Sequence, residues 1–288
     1  MKKRVLAMIG FVLLIALSLT ACKSKTVDKT DSDKAQTKET TQETPSEETD
    51  DTVQTQEPVT ILVAAAASLQ YSYTDELIPL FKEEYPNITV EGTYDSSGKL
   101  QTQIEEGLEA DVFMSASKKQ MNALTEEGLI DNESVVDLLE NKIVLITGKD
   151  NKDSLTAFED ITKANTIAIG DPESVPAGQY AKEALTNLGL WDSVEERASL
   201  GTNVTEVLNW VAEGSADAGV VYATDAATTQ DVAVIAQAPE GALEAPVIYP
   251  VGVATSSSKK DAAQVFVEFL QSDKALAIFE KYGFTPNK

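Results

Sequence analysis

Any chemistry in this chain is done without histidine, because its 288 residues contain none. That removes Ser-His-Asp and Cys-His catalysis and imidazole-ligated zinc. A single cysteine, Cys22, leaves no intramolecular disulfide and no thiolate cluster. Hydroxyls and bare backbone amides remain, and the stretch YDSSGKL at 94–100 concentrates them. It reads as a phosphate loop, a serine nucleophile or a helix start. A phosphate loop needs a longer glycine-rich run before Gly-Lys-Ser/Thr, whereas Gly98-Lys99 is followed by Leu100. A Ser-Lys dyad through Lys99 is conceivable, but side chains two or three apart at a helix start diverge. A helix start that binds an anion is the better reading.

Three other places hand a strand over to a helix in the same way. Ser68 in AAAASL is expected at the N-cap of the first helix. In Val175-Pro176-Ala177-Gly178, Pro176 suits the first helical position and Ala177 offers an unencumbered N–H. In Gly201-Thr202-Asn203-Val204, Thr202 or Asn203 caps and Val204 gives a first-turn amide. Helix N-termini carry unpaired N–H groups and the positive end of the dipole. Ordinary capping accounts for any one of these starts; together they suggest a donor-rich cage for an anion.

The elements that must position them alternate. VTILVAAAA (59–67) reads as a strand buried on both faces, followed by a helix at 69–85 with Leu69, Tyr73, Leu77, Leu80 and Phe81 on one stripe. Pro86-Asn87 stops it, and ITVEGTY is a second strand. A helix through Glu106, the strand ADVFMSAS, a helix at 118–127, a short helix near 135–139 and the strand KIVLITG follow. TIAIGDP and AGVVYATDA read as strands, AGQYAKEALTNLG and VTEVLNWVAEG as helices. IYPVGVATS is a last strand before helices at 261–271 and 274–282. This order predicts an α/β protein of two lobes joined by two crossing strands, with the site in the cleft between them. The expected limits are 58–139 plus 252–288 for lobe 1 and 140–251 for lobe 2.

The first 57 residues differ from the rest. MKKR, an apolar run and LTAC form the pattern of a lipoprotein signal over residues 1–21, with Cys22 the lipidated first residue of the mature chain. Residues 22–57 are too polar to offset the entropy of ordering and read as a disordered acidic tether. The expected location is therefore the outer face of the cytoplasmic membrane, and the tether's length leans toward a Gram-positive cell wall. Formal charge is −24 overall and −22 from residue 58 onward, which argues against nucleic acid as a partner.

AAAASL (64–69), SSGKLQTQIEEGLEADVFMSAS (96–117), GDPESVPAGQYAKEAL (170–185), GVVYATDA (219–226) and FEKYGFTP (279–286) together resemble the molybdate-binding proteins of ABC transporters. The resemblance runs from about Val59 to the C-terminus. It implies the two-lobe, type II periplasmic-binding-protein-like fold, and a tetrahedral oxyanion held by hydroxyls and amides with no positive side chain. Matched by position, it implies ligand contacts from the hydroxyl and amide of Ser68 and Ser97, the amides of Ala177 and Val204, and the hydroxyl of Tyr222. It further implies molybdate or tungstate as the transported ligand, a permease as partner, a monomer, and neither cofactor nor catalysis. A donor-only site suits a proton-free dianion and disfavours hydrogen phosphate; sulfate passes the same test. Another oxyanion such as sulfate on the same fold is the alternative reading, and a lipid-anchored Ser-Lys hydrolase the rival from another class. Asp95 departs from what the resemblance implies, a small neutral residue there in many members of that family. Tyr71 and Tyr73 are expected to border the cleft.

Overall fold

The computed structural model describes residues 57–151 and 155–287. The signal segment 1–21, Cys22 and almost all of the tether lie outside the described residues. Among those described, no helix is long and apolar enough to cross a membrane.

Among the described residues, eleven strands form two mixed sheets: β1 (Val59–Ala66), β2 (Ile88–Asp95), β3 (Val112–Met114), β4 (Val136–Asn141), β5 (Ile143–Gly148), β6 (Ile167–Gly170), β7 (Ala198–Gly201), β8 (Ala218–Tyr222), β9 (Val232–Gln237), β10 (Val247–Val253) and β11 (Thr285–Pro286). The first sheet has the order β11-β4-β10-β3-β1-β2 and the second β7-β6-β8-β5-β9. In the first, β1 runs parallel to β2 and β3; in the second, β6 runs parallel to β7 and β8. The chain passes to the second sheet between β4 and β5 and returns between β9 and β10. Two α/β lobes joined by two crossings result.

Residues 135–139 are expected to be a short helix, but 136–139 belong to β4 and Val135 closes a 3-10 turn before it. This strand pairs antiparallel with β10 on one side and β11 on the other, so Leu138 and Leu139, on opposite faces, are both buried. Long-range pairing overrides local propensity here. β10 is buried at every residue and still holds Pro250, which sits at a register shift next to Tyr249, where a missing ladder donor is tolerated.

The first predicted helix starts earlier than expected. A 3-10 turn (Ala67–Leu69) leads through Gln70–Ser72 into a π segment (Tyr73–Leu77) and then Ile78–Glu84. Leu69, Tyr73, Leu77 and Phe81 recur every fourth residue and are fully buried. In a straight α-helix that spacing drifts around the axis, and the wider π turn reduces the drift.

Candidate functional site

The predicted site residues sit at the carboxyl ends of the strands in each parallel set. Ser68 follows β1, Ser97 follows β2, Ala177 follows β6, Val204 follows β7, and Tyr222 ends β8. The crevice outside strand carboxyl ends is where open α/β sheets take ligands, because helix N-termini and loops gather there. Each sheet supplies one wall.

Ser68 is the second residue of the 3-10 turn, whose N-cap is Ala66, so it is not the cap that the sequence suggested. Its hydroxyl instead lies 2.9 Å from the Tyr249 hydroxyl. Ser96 is the N-cap of the helix Ser97–Glu105 and accepts from the Lys99 amide at 3.4 Å. That leaves Ser97, fully buried, to accept from the Ala116 amide at 3.0 Å while its own N–H stays in the first turn, beyond reach of an intrahelical carbonyl.

In the second lobe, Val175 caps the helix Pro176–Asn187. Pro176 at N1 has no N–H to give, so Ala177 carries the first amide of that helix. A Cβ at Gly178 would collide with the Gly170 carbonyl, which ties this helix start down onto the end of β6. Asn203 caps the helix Val204–Ala212, its Oδ1 accepting from the Glu206 amide at 3.0 Å, and Val204 is N1. The Tyr222 hydroxyl donates to the Ala116 carbonyl at 3.3 Å, and its ring meets Tyr249 edge-on with centroids 5.5 Å apart.

These contacts form one chain from Ser68 through Tyr249 and Tyr222 to Ala116 and Ser97. The sequence reading missed Tyr249, Asn141 and Ala116. Tyr249 accepts from Asn141 Nδ2 at 3.2 Å, and the same amide group donates to Thr224 at 2.9 Å, so Asn141 braces the site from the crossing between sheets. Tyrosine in the apolar run IYPVGVAT was the available signal. Tyr73, expected at the cleft, lies in the core with its hydroxyl on the Met114 sulfur, whereas Tyr71 is about half exposed.

The electrostatics fit a donor-only site. Burial, followed by the proximity of Tyr249, holds the Tyr222 hydroxyl well above the usual tyrosine range, so it keeps its proton, which the Ala116 carbonyl accepts here. Arg197, the only arginine in the folded part, is occupied by the carbonyls of Thr162, Ala164 and Ser193. Lys99 is paired with Asp95 at 3.4 Å. Among the described residues no group of acidic side chains is placed to hold a metal ion.

A two-lobed α/β frame with a donor-lined cleft defines a solute-binding protein. The chain belongs to the bacterial extracellular solute-binding protein family, whose pattern it matches over residues 61–285. It is 39% identical over 227 residues, 79% of this chain and 86% of the relative, to the Bacillus subtilis "Putative ABC transporter substrate-binding lipoprotein YvgL". It is 36% identical over 232 residues to the molybdate-binding protein ModA of Escherichia coli, covering 78% of this chain and 88% of that one. Among solved structures, the substrate-binding domain of a "putative molybdenum ABC transporter" from Clostridium difficile superposes with a TM-score of 0.63 at 39% identity, covering 80% of this chain and all of that one.

Proposed function

We propose that this chain captures molybdate or tungstate outside the cytoplasmic membrane and delivers it to an ABC transporter permease. One observation carries the reading: the hydroxyls of Ser68, Ser97 and Tyr222 and the helix starts at Ala177 and Val204 lie at the carboxyl ends of both parallel strand sets, while Arg197 is engaged elsewhere. A tetrahedral dianion without a proton is purely an acceptor, and a site of neutral donors pairs every contact it makes. A carboxylate turned to the ligand would accept the proton of hydrogen phosphate; Asp95, the carboxylate beside Ser96 and Ser97, is instead turned to the Ser96 amide and Lys99. The names of the Escherichia coli and Clostridium difficile relatives support the choice of ligand.

Ligand binding closes the two lobes, because the donors are divided between them and only the closed form satisfies all the oxyanion's oxygens. The chain crosses between the sheets from β4 to β5 and from β9 to β10, and closure bends these two crossings. No bond is made or broken, and no cofactor takes part. The protein acts as a monomer held to the membrane by a lipid on Cys22, with residues 22–57 as a spacer; the lipoprotein name of the Bacillus subtilis relative supports this anchoring. The test is a thermal-shift and calorimetric series with molybdate, tungstate, sulfate and phosphate. Molybdate and tungstate should raise the melting temperature through preferential binding to the folded state. Tight sulfate binding without molybdate binding overturns the reading.

A further inference from the structure

Asp95 ends β2, and its side chain is 28% exposed. A carboxylate next to an anion site would be expected to repel the ligand. Here one of its oxygens is turned to donors on both sides of the cleft. Oδ1 accepts from the Ser96 amide at 2.8 Å and lies 3.4 Å from Lys99 Nζ within the first lobe. From the second lobe it accepts from Asn203 Nδ2, also at 3.4 Å. Asn203 is itself the cap of the helix Val204–Ala212 and holds the Glu206 amide with its other side-chain atom.

A single oxygen thus joins the starts of the two helices that carry Ser97 and Val204. Beside it, the Gly98 amide donates to the Ser174 carbonyl at 3.0 Å, an approach that a Cβ at Gly98 would block. We propose that Asp95 is a positioning residue that latches the two lobes together over the bound oxyanion by gripping the cap residue Asn203. The inference rests on the oxyanion-binding reading above. Lys99 and the Ser96 amide offset the carboxylate's charge, so the latch adds a lobe-to-lobe bond with little added repulsion of the ligand. Because the Asp95–Asn203 bond exists only where the lobes meet, the latch slows release and leaves capture nearly unchanged.

Stopped-flow tryptophan fluorescence, with Trp210 on the helix that Asn203 caps, reads association and dissociation of molybdate separately. Asp95→Ala should raise the dissociation rate about 3- to 10-fold and change the association rate by less than about 2-fold, the scale of one part-exposed charged hydrogen bond. Asn203→Asp keeps a good cap but sets two carboxylates face to face, so dissociation should quicken by about 10-fold or more. Combining Asp95→Asn with Asn203→Asp restores an amide–carboxylate pair in reverse and should bring the rate back toward wild type. An unchanged dissociation rate or tighter binding in Asp95→Ala overturns the latch, as does a double variant that releases as fast as Asn203→Asp alone. A lowered melting temperature with an unchanged dissociation rate also counts against it. Failure of the wild-type protein to bind molybdate or tungstate defeats the functional reading and the latch together, whereas wild-type binding with indifferent variants defeats only the latch.

Discussion

The two walls of the cleft offer the same hydrogen-bonding chemistry by different means. The first lobe presents side-chain hydroxyls, Ser68 and Ser97, each tied to a neighbour: Tyr249 for one, the Ala116 amide for the other. The second lobe presents main chain, at Ala177 and Val204, with Tyr222 as its one side-chain hydroxyl, whose proton lies on the Ala116 carbonyl and has to turn from it to meet a ligand. A hydroxyl wall is adjustable, because a hydroxyl rotates and both gives and accepts. An amide wall is fixed by the fold, its donors aimed by Gly178 against Gly170 and by the Asn203 cap. If the cleft takes an oxyanion as proposed, the amides of the fixed wall, which accept no hydrogen bonds and do not reorient, carry the greater share of discrimination against protonated oxyanions.

The hardest blow to this comparison removes a main-chain donor without disturbing the helix. Val204 is at N1, where proline is tolerated, and Asn203 before it is extended at φ −156° and ψ 172°, the region that a residue preceding proline favours. Val204→Pro should therefore fold, lose one N–H, and weaken molybdate binding about 100-fold, in line with about 3 kcal/mol for a donor in a water-excluded anion site. Calorimetry measures it, with the melting temperature of the ligand-free protein as control. Full affinity in this variant would show that the second wall does not act through its amide.

On the adjustable wall, Ser97→Ala should weaken binding about 30-fold, near 2 kcal/mol, and lower the melting temperature slightly because the Ala116 amide loses its acceptor. Ser97→Thr, which keeps the hydroxyl, should recover part of the affinity if its extra methyl is accommodated. A loss at Ser97 that exceeds the loss at Val204 would reverse the ranking of the two walls. Tyr222→Phe tests the one side-chain hydroxyl of the second lobe, which here bonds the Ala116 carbonyl. It keeps the ring contact with Tyr249 and removes only the hydroxyl, so a loss of about 10-fold is expected by calorimetry, near 1.4 kcal/mol.

The same contrast decides what the sequence makes legible. The hydroxyl wall can be read from residue types, since Ser68 and Ser97 stand out after strand patterns. The amide wall shows only through its surroundings: a proline at N1, a capping asparagine and glycines too close to neighbours to carry a Cβ. The alternation of strands and helices conveyed the two-lobe frame, but β4 was misread because its partners β10 and β11 lie more than a hundred residues away. The short strands β7 and β9 escaped notice for a related reason, since they are edge strands with little burial pattern of their own. Tyr249 and Asn141 were missed because their roles arise where strands from distant parts of the chain cross. No local spacing encodes that meeting.

Asp225 gives the comparison its finest test, because it places a carboxyl group just behind the fixed wall, three residues after Tyr222. It is buried, one of its oxygens lacks a hydrogen-bond partner, and burial pushes its pKa up to about 7, while the amides of Tyr222 and Asp225 pull the other way. An acid whose pKa is raised on folding binds more protons folded than unfolded between the two values. Its contribution to stability is therefore complete below about pH 4 and is lost as pH rises toward and through 7. Asp225→Asn has no such group, so relative to wild type it should gain stability as pH climbs from 4 to 8, by as much as a few kcal/mol. Thermal melts at both pH values measure the difference. Affinity of Asp225→Asn at pH 5, where the wild-type carboxyl is neutral as well, should match wild type to within about 2-fold, since the side chain donates nothing to the cleft. A stability gap that stays constant with pH would mean that burial does not raise the Asp225 pKa on folding.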